Sequence, residues 1–358
     1  MSASGFSRES AEEYGFSPGV IATLGLSTLP GIGPSTLRQL GEPENVLNLF
    51  ATEDVELFAS SLNARGAKFS TLVSGISEWQ DLRERVWRAG RDLAAQLIHY
   101  NVRCATPSSS LYPVQLHDLG PRRPNWLFLR GNTALLGARS IAVVGTRDPS
   151  ATGDFLTKYT VSACREFGLA VVSGLAKGID TIAHEWALHL RVPTISVLGS
   201  GLLVPYPARN IGLAEQIVSE GGLLVSEYLP HQQPAAEMFV WRNRLQACLA
   251  ETVVATEWRR TSGTAHTVRF AQELGRPSVS VSLLGAGEAA DAGRGTLHFV
   301  LPSEHQLFVS AIAVSNFETK ESSSPAASTD VDQNFLEMGR RGLRGPGFED
   351  GDAQASLF

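Results

Sequence analysis

The chain has 358 residues, of which 43% are hydrophobic and 18% charged, against a usual charged share of roughly a quarter, so it buries a sizeable core and is not disordered as a whole. Its three cysteines, Cys104, Cys164 and Cys248, lie far apart with no C-x-x-C pair, which excludes a disulfide framework and a thiolate zinc site and suits a reducing cytosol. The formal net charge of −6 excludes a global field that draws in nucleic acid, so any polyanion must be held locally.

The length allows two domains and appendages. Residues 1–17 are polar and aperiodic and read as a disordered N-terminus without the apolar core of an export signal; no apolar run in the chain approaches the roughly 20 residues that cross a bilayer. A helical domain follows over 18–100, marked by amphipathic spacing at Val46, Leu47, Leu49 and Phe50 and again at Leu93, Leu97 and Ile98. Within it, LPGIG before PSTL, with Gly31 and Gly33, looks like a helix-hairpin-helix, whose turn offers backbone N–H groups to a DNA phosphate. The competing reading is a SAM-like bundle in which both glycines only cap helices, and Arg38 is the sole close cation.

Residues 101–138 are interrupted by Pro113, Pro121 and Pro124 and read as extended chain with a short strand at WLFLRG. From Arg139, six short β-branched runs, SIAVVG, GLAVVSG, PTISVLG, GGLLVSE, ETVVATE and PSVSVSL, alternate with helical periods. That pattern predicts parallel strands buried on both faces, an α/β doubly wound, Rossmann-like sheet over 101–317. Residues 318–358 are rich in Ser, Ala, Gly and acid, with eight acidic and four basic side chains, and read as a disordered acidic tail.

Ligands of open parallel sheets sit at the carboxyl ends of the strands. There the sequence places Gly145-Thr146-Arg147, Ser173-Gly174, Lys177-Gly178, Gly199-Ser200-Gly201, Arg209-Asn210 and Ser262-Gly263. Glycines permit close backbone approach, hydroxyls and helix N-termini donate to phosphate, and Arg147, Lys177 and Arg209 supply positive charge. Arg242, Asn243 and Arg244 lie at a predicted helix start and add a weaker signal.

These residues resemble the DNA-processing proteins of the DprA/Smf family through VGTRDPSATG (144–153), SGLAKGIDTIAHEWAL (173–188), VLGSGLLVPYPARN (197–210), GGLLVSEY (221–228), WRNR (241–244) and the SGT-to-helix segment at 262–275. The resemblance implies an extended Rossmann domain that binds single-stranded DNA regardless of sequence, dimerises, and loads RecA in transformation or recombination, with no reaction and no cofactor. It implies a pocket of Gly145, Thr146, Arg147, Ser173, Gly174, Lys177, Gly178, Arg209, Asn210, Ser262 and Gly263, closed by Arg242, Asn243 and Arg244. Asp180 and His184 match the family's GID-x-x-AH block; four residues apart on one helix, they are expected to tie helix to sheet rather than catalyse. The chain departs from the family pattern at Val240 and Leu203, in lacking the final VPG turn, and in showing no winged helix at its end.

A dinucleotide-dependent oxidoreductase is a poorer reading, because G-T-R-D-P-S replaces G-x-G-x-x-G after the first strand. The alternative retained is a nucleotide sensor or hydrolase of the lysine-decarboxylase-like group, although no Glu follows Ser262-Gly263-Thr264 until Glu273. HEWALH spaces His184 and His189 at i+5 rather than the i+4 of a zinc site. The expectation is a cytoplasmic binding protein, not an enzyme. The terminal Gln354-Ala355-Ser356-Leu357-Phe358 looks like the Q-x-x-L-F peptide by which bacterial replication and repair proteins dock on the sliding clamp.

Overall fold

The computed structural model describes residues 8–51, 55–66, 76–285 and 295–313. The helical unit is built from α1 (Arg8–Glu13), α2 (Pro18–Leu26), α3 (Pro34–Leu40), α4 (Pro43–Ala51), α5 (Val55–Asn63) and α6 (Ile76–His99). α2 has no polar face and is buried from Gly19 to Leu26; Pro18 pre-sets its first turn, and the Ser17 hydroxyl accepts from the Val20 N–H. A β-carbon at Gly25 would fall 2.1 Å from the Val86 carbonyl, and one at Gly90 2.1 Å from that of Ile21. Bare α-carbons therefore let α2 and α6 pack backbone to backbone. Phe50, Phe58 and Trp79 close the far side with edge-on and tilted ring contacts.

Residues 8–17, expected to be disordered, belong to this unit. Ala11 and Phe16 are buried, and the Tyr14 carbonyl accepts from the Cys104 N–H at 2.8 Å. A helix of six residues with one buried alanine leaves no readable period, so the sequence pattern did not show it.

The sheet unit starts with β1 (Val102–Ala105) and β2 (Leu127–Gly131) and continues through β3 (Ser140–Val144), α7 (Ala151–Glu166), β4 (Ala170–Ser173), α8 (Ile179–Leu190), β5 (Thr194–Val197), α9 (Ile211–Ser219), β6 (Leu223–Ser226), α10 (Ala236–Leu249), β7 (Thr252–Ala255), α11 (Thr264–Glu273), β8 (Ser278–Leu283), β9 (Thr296–Leu301) and α12 (His305–Ala313). The six predicted runs are β3 to β8, and every residue of β3 to β7 is buried. The order is β1-β2-β6-β5-β4-β3-β7-β8-β9. β3 through β9 pair in parallel, while β1 and β2 add antiparallel to the β6 edge.

The Pro-rich stretch is thus two antiparallel strands rather than one, joined by tight 3-10 turns over Val114–Arg122 that kink at Gly120, whose φ is +55°. The partly exposed edge strand β9 was not foreseen either. Because β4 follows β3 on one side and β7 pairs with it on the other, the topology reverses between β3 and β7. A crevice must open at their carboxyl ends.

Candidate nucleic-acid interface

A cleft of about 200 Å³ lies at this switch point, walled by Gly145–Asp148, Ala176, Asp180, Phe239, Val240, Arg242, Asn243, Gln246, Ser262–Thr264 and Thr267. The turn after β3 is locked from both sides: the Thr146 N–H donates to the Glu257 carbonyl at 2.7 Å, and its carbonyl accepts from the Ile179 N–H at 3.1 Å. Gly178 opens α8 with φ +85°, and a β-carbon there would lie 2.4 Å from the Thr146 carbonyl. Only glycine makes that approach. Across the cleft the Asn243 Nδ2 donates to the Gly263 carbonyl (3.2 Å), and the Thr264 hydroxyl donates to the Gly145 carbonyl (2.9 Å). The start of α11 is thereby clamped to the end of β3.

Two expected cations stand at the mouth. Arg147 is exposed, with its guanidinium carbon 5.8 Å from the Phe239 ring. Lys177 Nζ lies 3.7 Å from Asp148, with both side chains more than half exposed. Such a surface pair is weakly held in water, leaving the ammonium ready to exchange its partner for a phosphate.

Several other expected contacts are internal instead. The Ser173 hydroxyl is fully buried and donates to the Val143 carbonyl at 2.7 Å. Gly174 lies beneath Arg242, whose Nη1 donates to its carbonyl at 2.8 Å and also to that of Val197. Arg242 therefore lines the cleft wall, yet its charge is directed at the carboxyl ends of β4 and β5. Burial lowers its pKa against the pull of Asp180.

Arg244, also expected to close the pocket, is 1% exposed and forms a bidentate pair with Glu227 at 2.5 and 2.6 Å. The buried Asn210 side chain donates to the Leu175 carbonyl (2.8 Å) and the Thr181 hydroxyl (2.9 Å), pinning a loop in which Leu175 takes a positive φ of 63°. Arg209 is exposed beyond β5 and is not among the cleft residues. Consecutive polar residues on a helix or turn point to different faces, which one-dimensional grouping obscures.

His184 joins helix to sheet: its Nδ1 is 2.8 Å from the Thr194 hydroxyl, which donates to the Val171 carbonyl at 3.2 Å. Since that hydroxyl proton is committed, Nδ1 is the donor and Nε2 carries no hydrogen. Burial, aided by Arg242, holds the imidazole neutral with a pKa near 3. Asp180 does not share that contact; its carboxylate faces the cleft and accepts from the Ala176 N–H at 3.3 Å. Its pKa is raised by burial, with Arg242 opposing.

Phe239, Gln246 and Thr267 were missed as cleft residues. A β-carbon on Gly199 would strike the Phe239 ring at 2.4 Å, and Tyr206 packs 5.4 Å from it; these contacts join positions far apart in sequence and leave no local signal. Gly31 (φ +82°) and Gly33 do shape the turn between α2 and α3. However, the seven-residue α3 begins with Pro34, which has no N–H to offer. Its Arg38 carbonyl accepts from Asn125 (2.9 Å), and the Arg38 guanidinium lies 5.9 Å from the Trp241 ring. Through these contacts α3 packs on the sheet unit. Gln354, Leu357 and Phe358 and the tail from 318 lie outside the described residues.

Residues 103–299, nearly the span of the nine-stranded sheet, match the family model described as DNA recombination-mediator protein A. Protein Smf of Synechocystis sp. is 30% identical over 303 residues, 81% of this chain and 72% of that protein. DNA processing protein DprA of Streptococcus pneumoniae is 41% identical over 165 residues, 46% of this chain and 57% of that protein. The X-ray structure of the Streptococcus pneumoniae DprA superposes with a TM-score of 0.56 at 25% identity, covering 86% of this chain and 98% of that one. With the family model matching more than half of the chain and the switch-point cleft inside the matched span, the chain belongs to the DNA recombination-mediator protein A family of DNA-processing proteins.

Proposed function

We propose that this protein binds single-stranded DNA through its phosphates, without reading sequence, and serves recombination by presenting the strand to RecA. The observation that carries the reading is exposed Arg147 in the lining of the switch-point cleft, with exposed Lys177 3.7 Å from the lining residue Asp148, beside the glycine turns at Gly145, Gly178 and Gly263 that bring backbone close to a ligand. The half-buried Phe239 ring next to Arg147 adds a surface on which a base can stack whatever its identity.

Binding rather than catalysis, with no cofactor, is part of the same reading, since the buried His184 and Arg244 side chains serve internal contacts. So are a cytosolic location, a homodimer and, through the terminal Q-x-x-L-F, a sliding-clamp partner. Among the described residues no helix is long and apolar enough to cross a membrane.

The test is a gel-shift titration with single-stranded and duplex DNA over a range of salt, beside a nucleotide-binding assay. Preference for the single strand, with a log–log salt slope near −0.7 per neutralised phosphate, is expected. Salt-independent binding, or a preference for duplex or free nucleotide, would overturn the reading.

A further inference from the structure

A second concave surface lies outside the cleft, where the sheet unit meets the helical unit. The loops after β5 and β6 are zipped together, the Gly201 N–H donating to the Gln232 carbonyl (2.9 Å) and the Leu203 N–H to the Pro230 carbonyl (3.0 Å). The end of α6 stands across from them, with Gln96 Oε1 3.0 Å from His231 Nε2. Between the two units this leaves an open groove of about 670 Å³.

Its lining is aromatic and carries no net charge. Ten large hydrophobic side chains are exposed among the described residues, and three of them, Tyr100 (43%), Tyr206 (37%) and Ile211 (44%), line this groove. Exposed apolar area gathered in one concavity marks a place that a ligand covers. The one acid of the lining, Glu215, is held by Arg130 through both carboxylate oxygens at 2.6 and 2.8 Å, so it does not repel an anionic strand.

The groove is continuous with the cleft, which identifies its occupant. The Tyr206 ring packs 5.4 Å from that of Phe239, so one aromatic wall belongs to the groove and its neighbour to the cleft. Arg209, exposed and absent from the cleft lining, sits between the groove residues Ala208 and Ile211. Rings inside and a cation at the edge suit bases turned inward and phosphates turned outward, an arrangement that tolerates any sequence. A cavity on the order of 150 Å³ takes up a benzene-sized ring, so the groove has room for about two bases.

We propose that the bound strand leaves the cleft over Phe239 and Tyr206 and lays its next bases in the groove between the two units, stacked against Tyr206 and Tyr100, with Arg209 at their phosphates. The proposal rests on the single-stranded DNA reading above and adds the helical unit to the binding surface.

The experiment measures, by fluorescence anisotropy, the binding of dT strands of about 4 and about 12 nucleotides to the full chain and to its Tyr100→Ala, Tyr100→Phe and Ile211→Glu variants. Tyr100→Ala removes a stacking ring and is expected to weaken the longer strand about 10-fold and the shorter, cleft-filling strand less than about 2-fold. Tyr100→Phe keeps the ring and is expected to bind both strands as the parent does. Ile211→Glu sets a negative charge in the groove at the first turn of α9, where a helix tolerates it, and is expected to weaken the longer strand alone. Both side chains are exposed, so melting temperatures are expected to stay near that of the parent. Equal losses on the two strands overturn the groove and leave the cleft reading in place. Unchanged affinity of Tyr100→Ala and Ile211→Glu for the longer strand gives the groove to a different occupant and overturns the proposal likewise. Failure of the intact protein to bind either strand overturns the DNA reading itself.

Discussion

The Arg244 guanidinium lies flat against the Glu227 carboxylate, Nη1 to Oε1 at 2.5 Å and Nη2 to Oε2 at 2.6 Å, with the two side chains 1% and 6% exposed. The arginine also donates to the Arg122 and Trp241 carbonyls and sits 4.2 Å from the Trp241 ring. The pair fastens α10 to the end of β6 and the 3-10 segment.

Removing one partner strands a buried charge, so Arg244→Ala is expected to destabilise the protein by about 3–5 kcal/mol. Replacing both, Arg244→Met with Glu227→Leu, is expected to cost well under the sum of the single changes. Urea unfolding of the parent, Arg244→Met, Glu227→Leu and the double variant measures this; additive losses would show that the two groups are not coupled.

Arg147 and Lys177 are expected to behave in the opposite way. Both are exposed at the cleft mouth, so Arg147→Glu should weaken single-stranded DNA binding by a few kcal/mol while the melting temperature stays nearly constant. Lys177→Glu should act in the same direction more weakly, since its ammonium makes point contacts rather than a planar fork. Retention of full affinity by both variants, with unchanged circular dichroism, places the DNA elsewhere.

Gly178 and Gly263 separate fold from binding. At Gly178 the φ of +85° and the 2.4 Å approach to the Thr146 carbonyl leave no space for a methyl group, so Gly178→Ala is expected to lose on the order of 2 kcal/mol of stability together with DNA binding. Gly263 has φ −56° and open space around its α-carbon. Gly263→Ala should fold as the parent does, and a binding defect in that variant reports close approach of the strand to the backbone.

His184 gives the protein a pH dependence of known sign. The folded imidazole has a pKa near 3 and the unfolded one about 6.5. Below pH 6.5 the unfolded chain takes up a proton that the folded chain refuses, so stability falls with pH at up to about 1.4 kcal/mol per unit through that window. Asp180, whose carboxyl is raised by burial, contributes with the opposite sign, and His184→Asn leaves that contribution in place. The stability of the parent relative to His184→Asn should therefore fall by roughly 2–3 kcal/mol between pH 6.5 and 4.5 in denaturant titrations; a pH-independent difference rules out the neutral buried histidine.

The six parallel strands were legible in the sequence because strands buried on both faces need continuous β-branched runs, and IAVV, AVV, TISV, LLV, TVVA and SVSV supply them. The same logic placed Gly145, Thr146, Arg147, Lys177, Gly178 and Gly263 on one edge, since a parallel sheet directs every strand's carboxyl end to the same side. Strand order, and with it the cleft between β3 and β7, arises only when α10 crosses over from β6 and brings β7 beside β3. Side-chain direction was equally a tertiary decision: W-R-N-R reads as one cationic cluster, yet on α10 Arg242 turns to Gly174 and Val197, Arg244 to Glu227, and Asn243 to Gly263. Gln246 in the cleft and Ala11 and Phe16 in the helical core acquire their roles from neighbours remote in the chain. Local pattern encodes the hydrogen-bonding period of the backbone, whereas the partner of a buried polar group is set by which elements meet in space.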